Sequence, residues 1–148
     1  MTDNVLLIDD DKDFLEIMTE RMQARGLDVS SSTSAENALG MIKKGAYDCI
    51  ILDLQMPGMD GIEALKAIKE IQPEAQIILL TGHATVEKGV EAIKLGAMDF
   101  IEKPADLETL TRKIQTAHAQ KIMIVEKKEK EMVVRSEEHT SELQSPNT

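Results

Sequence analysis

Four short apolar runs punctuate this chain: Val5 to Ile8, Cys49 to Leu52, Ile77 to Leu80 and Ala97 to Ile101. A more polar run, Leu27 to Ser31, lies between the first two and is the second of five in chain order. Runs this short, bounded by turn-forming residues, suit strands of a parallel sheet buried on both faces. Between them the apolar residues change period. Phe14, Leu15, Met18 and Met22 recur at helical spacing and stop at Gly26. Ser34 is placed to cap a helix carrying Ala38, Leu39 and Ile42, closed by Gly45. Ile62, Leu65, Ile68 and Ile71 form the next helical face, with Pro73 beyond its end. Thr85 can cap a fourth helix through Val86, Val90, Ile93 and Leu95, stopped by Gly96. Asp106 opens a last one through Leu107, Leu110, Ile114 and Ala117.

Strict alternation of short strands and helices predicts an α/β domain, a parallel sheet with helices on both faces. Right-handed crossovers with one reversal of direction give a flavodoxin-like (βα)5 fold, its five strands ordered 2-1-3-4-5. With 148 residues the chain has room for one such core. Aromatics are limited to Phe14, Phe100 and Tyr47, so that core is aliphatic.

Composition excludes several classes of function. A net charge of -10 argues against a phosphate-backbone partner, which would need a basic patch. The one cysteine, Cys49, falls inside an apolar run and reads as a core thiol, so no disulfide is available. No apolar run approaches 18 residues and no charged-then-apolar leader is visible, so neither membrane insertion nor export is expected. A cytoplasmic protein is the expectation.

Chemistry collects where the apolar runs end. The first runs into Asp9, Asp10 and Asp11; the third into Asp53 and a loop containing Pro57, Gly58 and Gly61. In a 2-1-3-4-5 sheet, strands one and three are neighbours at the switch point, where open sheets place their ligands. Asp9, Asp10 and Asp53 then meet. At ~4 Å and an effective dielectric near 20, each pair of such carboxylates repels by about 4 kcal/mol. The cluster calls for a cation, and all-oxygen donors with room for water suit Mg2+ better than Zn2+. The fourth run adds the Thr81 hydroxyl and the fifth the Lys103 ammonium. Acids, cation, hydroxyl and ammonium together suit a phosphoryl group.

These motifs carry a resemblance. Leu-Ile-Asp-Asp, Leu-Asp-Leu-Gln-Met-Pro-Gly-Met-Asp-Gly, Leu-Leu-Thr-Gly and Phe-Ile-Glu-Lys-Pro make residues 4 to about 118 similar to the receiver domain of a bacterial two-component response regulator. The resemblance implies that Asp53 takes a phosphoryl group from a sensor histidine kinase or phosphotransfer protein, forming an acyl phosphate. It implies that Asp10 binds Mg2+ directly, Asp9 mostly through water, Asp53 with its carboxylate and Gln55 with its backbone carbonyl. Thr81 and Lys103 would contact phosphoryl oxygens, and the bond before Pro104 would be cis. Phe100 stands at the family's aromatic switch position and would turn inward as Thr81 moves, altering the face of helix 4, strand 5 and helix 5. Gln55 and His83 flank the site and would tune the lifetime of the phosphate. The expected role is a signalling receiver in a phosphorelay rather than an enzyme, with an unidentified downstream protein target and scope for a phosphorylation-dependent homodimer.

Two other readings come from different classes. An aspartate-nucleophile phosphatase of haloacid dehalogenase type would use Asp9 as nucleophile and Asp11 as acid. It leaves Asp53 unexplained, Asp13 stands where Thr or Val is usual, and no acidic pair follows Lys103. A phosphorylation-independent binding module would need no such site, yet no site residue is missing.

The expected organisation is a receiver over residues 1–120, then an extended last helix or linker over 121–134. No Pro or Gly interrupts Asp106 to Val134, although Lys121 breaks the apolar spacing before Ile124. That segment reads either as the frayed end of a stand-alone receiver or as a linker to an output domain, with the first favoured. Residues 135–148 differ from everything upstream, and the back-translation of the first eleven resembles a common sequencing-adapter oligonucleotide, so the segment is set aside as non-native. On this reading Thr148 is not the natural C-terminus.

Overall fold

The computed structural model describes residues 3–56, 58–82, 86–104, 106–120, 122–124 and 127. Five strands alternate with helices: β1 (Asn4–Ile8), α1 (Lys12–Ala24), β2 (Asp28–Ser32), α2 (Ala35–Lys44), β3 (Cys49–Asp53), α3 (Gly61–Ile71), β4 (Ile77–Thr81), α4 (Val86–Lys94) and β5 (Asp99–Glu102). A fifth helix, α5, runs over 107–120, and 122–124 are also helical. The strands form one parallel sheet in the order β2-β1-β3-β4-β5, as the alternation predicts. No helix among the described residues is long and apolar enough to cross a membrane. The expected cap Thr85, the loop proline Pro57, the linker beyond 127 and the segment 135–148 lie outside the described residues.

The two-residue alternation of the strands sorts the core into two layers. Leu6, Ile8, Ile50, Leu52, Ile77 and Leu79 face α2, α3 and Ala92 of α4. Val5, Leu7, Cys49, Ile51, Ile78 and Leu80 face α1 and the α5 residues Leu110, Ile114 and Ala117. β3 and β4 are buried along their whole length. Each fully buried Leu or Ile contributes roughly 1.5–3 kcal/mol, so the centre of the sheet is its most rigid part. The ends of these strands are therefore fixed platforms for whatever follows them.

Helix boundaries follow local chemistry. Asp11, Ser34 and Asp60 cap α1, α2 and α3, each side chain accepting a backbone N–H of the first turn. Asp106 does the same for α5, accepting from the Thr109 amide at 3.1 Å and hydroxyl at 2.8 Å. Gly45 closes α2, and Gly26 follows α1 with φ +89°.

Three expectations are corrected. β2 begins and ends one residue later than Leu27 to Ser31, because Leu27 still bonds back to Met22 and pairing with β1 begins at Asp28. β5 begins at Asp99 rather than Ala97. Gly96, with φ +109°, and Ala97, whose N–H returns to Ala92, complete the end of α4 first. The third concerns α4, which ends at Lys94, one residue before Leu95. The large residues Val90, Ile93 and Leu95 are 46%, 38% and 39% exposed, while the small Gly89 and Ala92 face the sheet. A methyl group at Gly89 would come within 3.1 Å of the Phe100 ring, so the space that a larger side chain would fill belongs to Phe100.

Candidate functional site

β1 and β3 are adjacent, with Ile8 in register with Leu52, so the residues that follow them emerge side by side. Asp9, Asp10 and Asp53 each present a carboxylate oxygen, and these atoms lie within 4.8 Å of one another. Asp9 and Asp53 are buried, whereas Asp10 is exposed. Backbone amides hold the two buried acids: Asp11 N–H donates to Asp9 Oδ1 at 2.9 Å, and Gln55 N–H to Asp53 Oδ1 at 3.1 Å. These bonds fix one oxygen of each carboxylate and leave the other facing the cluster.

The cation expected from β5 is there. Lys103 Nζ donates to Asp9 Oδ2 at 2.9 Å and lies 3.5 Å from Asp53 Oδ2. Its own backbone N–H bonds Thr81 O at 2.8 Å, which registers the end of β5 against the end of β4. The Lys103–Pro104 peptide is cis, as expected. Thr81 is fully buried at the end of β4, its hydroxyl donating to Gly82 O at 3.0 Å. Gln55 borders the same edge, its side-chain oxygen 3.3 Å from where a Cβ on Gly82 would sit. Phe100 is partly buried on β5, opposite Leu79 and against Gly89. His83 lies outside the described residues.

Burial pushes the Asp53 carboxyl up to about 6; the Gln55 amide and Lys103 pull it down, and the Asp9 charge adds to the rise. Burial also opposes the Lys103 ammonium, but the hydrogen bond to Asp9 and the charges of Asp53 and Asp9 win, raising its pKa. One ammonium thus faces three acids, a site short of positive charge. Its donors are hard carboxylate oxygens, one of them exposed, which fits a small hydrated divalent cation such as Mg2+.

Two features of the site escaped sequence reasoning. Phe14, expected only as a helix-face residue, lies beneath Lys103, with Nζ 4.9 Å from the ring centroid. Gly61, expected only as a loop residue, is the first residue of α3 and packs directly on the backbone after Asp53; a Cβ there would stand 2.6 Å from Leu54 Cα. An unbranched position beside a loop was visible, but the close approach was not. Asp11, the acid in the phosphatase alternative, is engaged as the α1 cap, accepting Phe14 N–H at 3.1 Å.

Comparison with known proteins agrees with this geometry. The family described as response regulator receiver domain matches residues 5–115. The C4-dicarboxylate transport transcriptional regulatory protein DctD of Rhizobium meliloti is 36% identical over 123 residues, 83% of this chain and 27% of that protein. The transcriptional regulatory protein FixJ of Bradyrhizobium diazoefficiens is 37% identical over 114 residues, 77% of this chain and 56% of that protein. The chain therefore spans between about a quarter and just over half of these relatives. Among solved structures, a response regulator receiver domain protein from Clostridium thermocellum superposes with a TM-score of 0.80 at 28% identity, covering 82% of this chain and 98% of that one.

Proposed function

The chain belongs to the response regulator receiver domain family of two-component signalling, and from that premise we propose that Asp53 is its phosphoacceptor. The observation that carries the reading is the convergence of Asp9, Asp10 and Asp53 with Lys103 at the ends of β1, β3 and β5. In the transfer, an Asp53 oxygen attacks the phosphorus of a phosphohistidine, the P–N bond breaks, and the leaving imidazole keeps the electron pair and takes up a proton. The product is an acyl phosphate on Asp53.

Asp53 attacks as the carboxylate, so its raised pKa keeps it basic enough to be a good nucleophile while leaving it ionised above about pH 6. Its Oδ1 is occupied by the Gln55 amide, which orients Oδ2 toward the incoming phosphorus. Lys103, already beside Asp53, pairs with a phosphoryl oxygen. Thr81 supplies a hydroxyl donor to another. A Mg2+ ion held by Asp9, Asp10, Asp53 and the Gln55 carbonyl would neutralise the charge of the transferred group.

Added charge at Asp53 then biases two packed arrangements. Thr81 and Lys103 are drawn to the phosphoryl group, Phe100 turns inward, and the exposed face of α4, β5 and α5 changes. The donor is a sensor histidine kinase or phosphotransfer protein, and the output is a contact through that face with a protein target or a second copy of the chain. On this reading the chain works in the cytoplasm, its only covalent chemistry is on itself, and Gln55 and His83 set how fast water removes the phosphate.

Acetyl phosphate with Mg2+ tests the assignment. The intact protein gains the mass of one phosphate; Asp53→Asn gains none; Asp9→Asn, which removes the nucleophile of the phosphatase alternative, still takes up label. A label that survives Asp53→Asn and vanishes in Asp9→Asn overturns the proposal.

A further inference from the structure

At the opposite end of the sheet a second group of side chains converges. Asp3 precedes β1, Asp48 precedes β3, and His118 lies on α5. Asp48 and Asp53 are five residue steps apart along β3, ~16 Å of extended chain. His118 Nδ1 lies 2.9 Å from Asp48 Oδ1 and 3.2 Å from Asp3 Oδ1. One oxygen from each acid and an imidazole nitrogen all fall within 4.8 Å of one another.

We propose that Asp3, Asp48 and His118 form a cation site for a divalent transition ion of the Zn2+ class, separate from the Asp53 cluster. The distances fit such an ion. Ligands held at ~2.0–2.2 Å in a tetrahedron stand roughly 3.3–3.6 Å apart, so the 3.2 Å and 2.9 Å spacings here need to open by only a few tenths of an ångström to admit one. The unpartnered nitrogen fits as well. Nδ1 is buried, yet it makes no hydrogen bond with either oxygen despite the short distances. A hydrogen bond needs alignment with the ring N–H, and a single ring proton could satisfy only one acid. An ion ahead of Nδ1 is shared by all three.

The Asp48 carboxylate and the Asp3 backbone are held before any ion arrives. Asn4 N–H donates to Asp48 Oδ2 at 2.7 Å, leaving Oδ1 turned to the histidine. Asp3 is anchored by its carbonyl, which accepts Asp28 N–H at 2.9 Å. His118 follows Ala117, which is buried against the sheet. Two carboxylates and a neutral imidazole balance a +2 ion, and the nitrogen donor favours Zn2+ or Co2+ over Mg2+. Three protein ligands leave a fourth position for water. The bound ion ties α5, part of the proposed output face, to the starts of β1 and β3.

The test uses the full untagged chain, stripped with a chelator and kept in excess Mg2+. Zn2+ is titrated by calorimetry and Co2+ by its visible d–d absorption. One equivalent is expected to bind, unchanged in Asp53→Asn and weakened at least about tenfold in His118→Gln and in Asp3→Asn. Circular dichroism checks that the variants fold; if His118→Gln does not, Asp3→Asn, on the segment before β1, carries the comparison. The absence of saturable binding overturns the proposal, as does binding that persists in the folded His118 or Asp3 variant. Binding lost in Asp53→Asn overturns it too, because the ion would then occupy the other site. Failure of Asp53 to accept phosphate leaves this result unaffected.

Discussion

Lys103 Nζ is closer to Asp9, at 2.9 Å, than to Asp53, at 3.5 Å. Under the proposed transfer, the ammonium is thus held beforehand mainly by the acid that would not react, with the proposed acceptor within reach of a small movement. Asp9 is fully buried, so this pair also offsets an otherwise uncompensated charge.

Lys103→Met is therefore expected to lower the stability of the metal-free protein, by about 1–3 kcal/mol given that the lysine is partly exposed. Mg2+ should recover much of that loss by taking over the neutralisation of the acids. Urea denaturation with chelator and with Mg2+ checks this. Equal losses in both conditions would show that Lys103 acts through packing on Phe14 instead.

Asp53 gives a pH dependence with a defined sign. Its folded pKa, about 6, lies above the usual carboxylate value of 3.8, so the folded state holds the proton more tightly than the unfolded chain. Between about pH 4 and 6 the contribution of Asp53 to the stability of the metal-free protein falls as pH rises. Asp53→Asn removes this penalty, so it is expected to be more stable than wild type above pH 6, by on the order of 1–3 kcal/mol, and equal below pH 4. Thermal melts in chelator across that range measure the difference.

Gly61→Ala should cost about 1–3 kcal/mol, because the new methyl meets Leu54 backbone at 2.6 Å and 2.9 Å rather than a side chain that can turn away. The backbone that yields is the one carrying Gln55, so phosphorylation by acetyl phosphate should slow as well. Denaturation midpoints and labelling rates read the two effects separately.

Gly89→Ala tests the packing of Phe100, the proposed switch aromatic. The added methyl would press on Phe100 at 3.1 Å and 3.2 Å, opposing the preference of a helix for Ala over Gly, worth about 1 kcal/mol. Little net change in stability is expected, with a displaced Phe100 ring resonance. An unmoved ring would show that the helix yields instead.

Much of this was legible in the sequence because strand and helix periods alternate without interruption. Once Val5 to Ile8 and Cys49 to Leu52 are strands, topology alone brings Asp9 beside Asp53, and the last run delivers Lys103 to the same edge. Exposure of α4 was not legible: Val90, Ile93 and Leu95 have the spacing of a core face, but the pattern does not say that Phe100 occupies the space beneath. The Phe14–Lys103 contact and the Asp3–Asp48–His118 cluster join distant segments through side-chain placement, which no local period encodes. Strand ends shifted by one or two residues because helix termini claim Leu27 and Ala97 through backbone bonds to Met22 and Ala92.

The central claim is that Asp53 carries the phosphoryl group. Borohydride reduction of the acetyl-phosphate-treated protein, followed by peptide mapping, reads the acceptor directly, because an acyl phosphate is reduced to homoserine at the labelled residue. Homoserine at position 53 alone is the predicted result. Homoserine at position 9, or at neither position in protein that has gained phosphate, would contradict it.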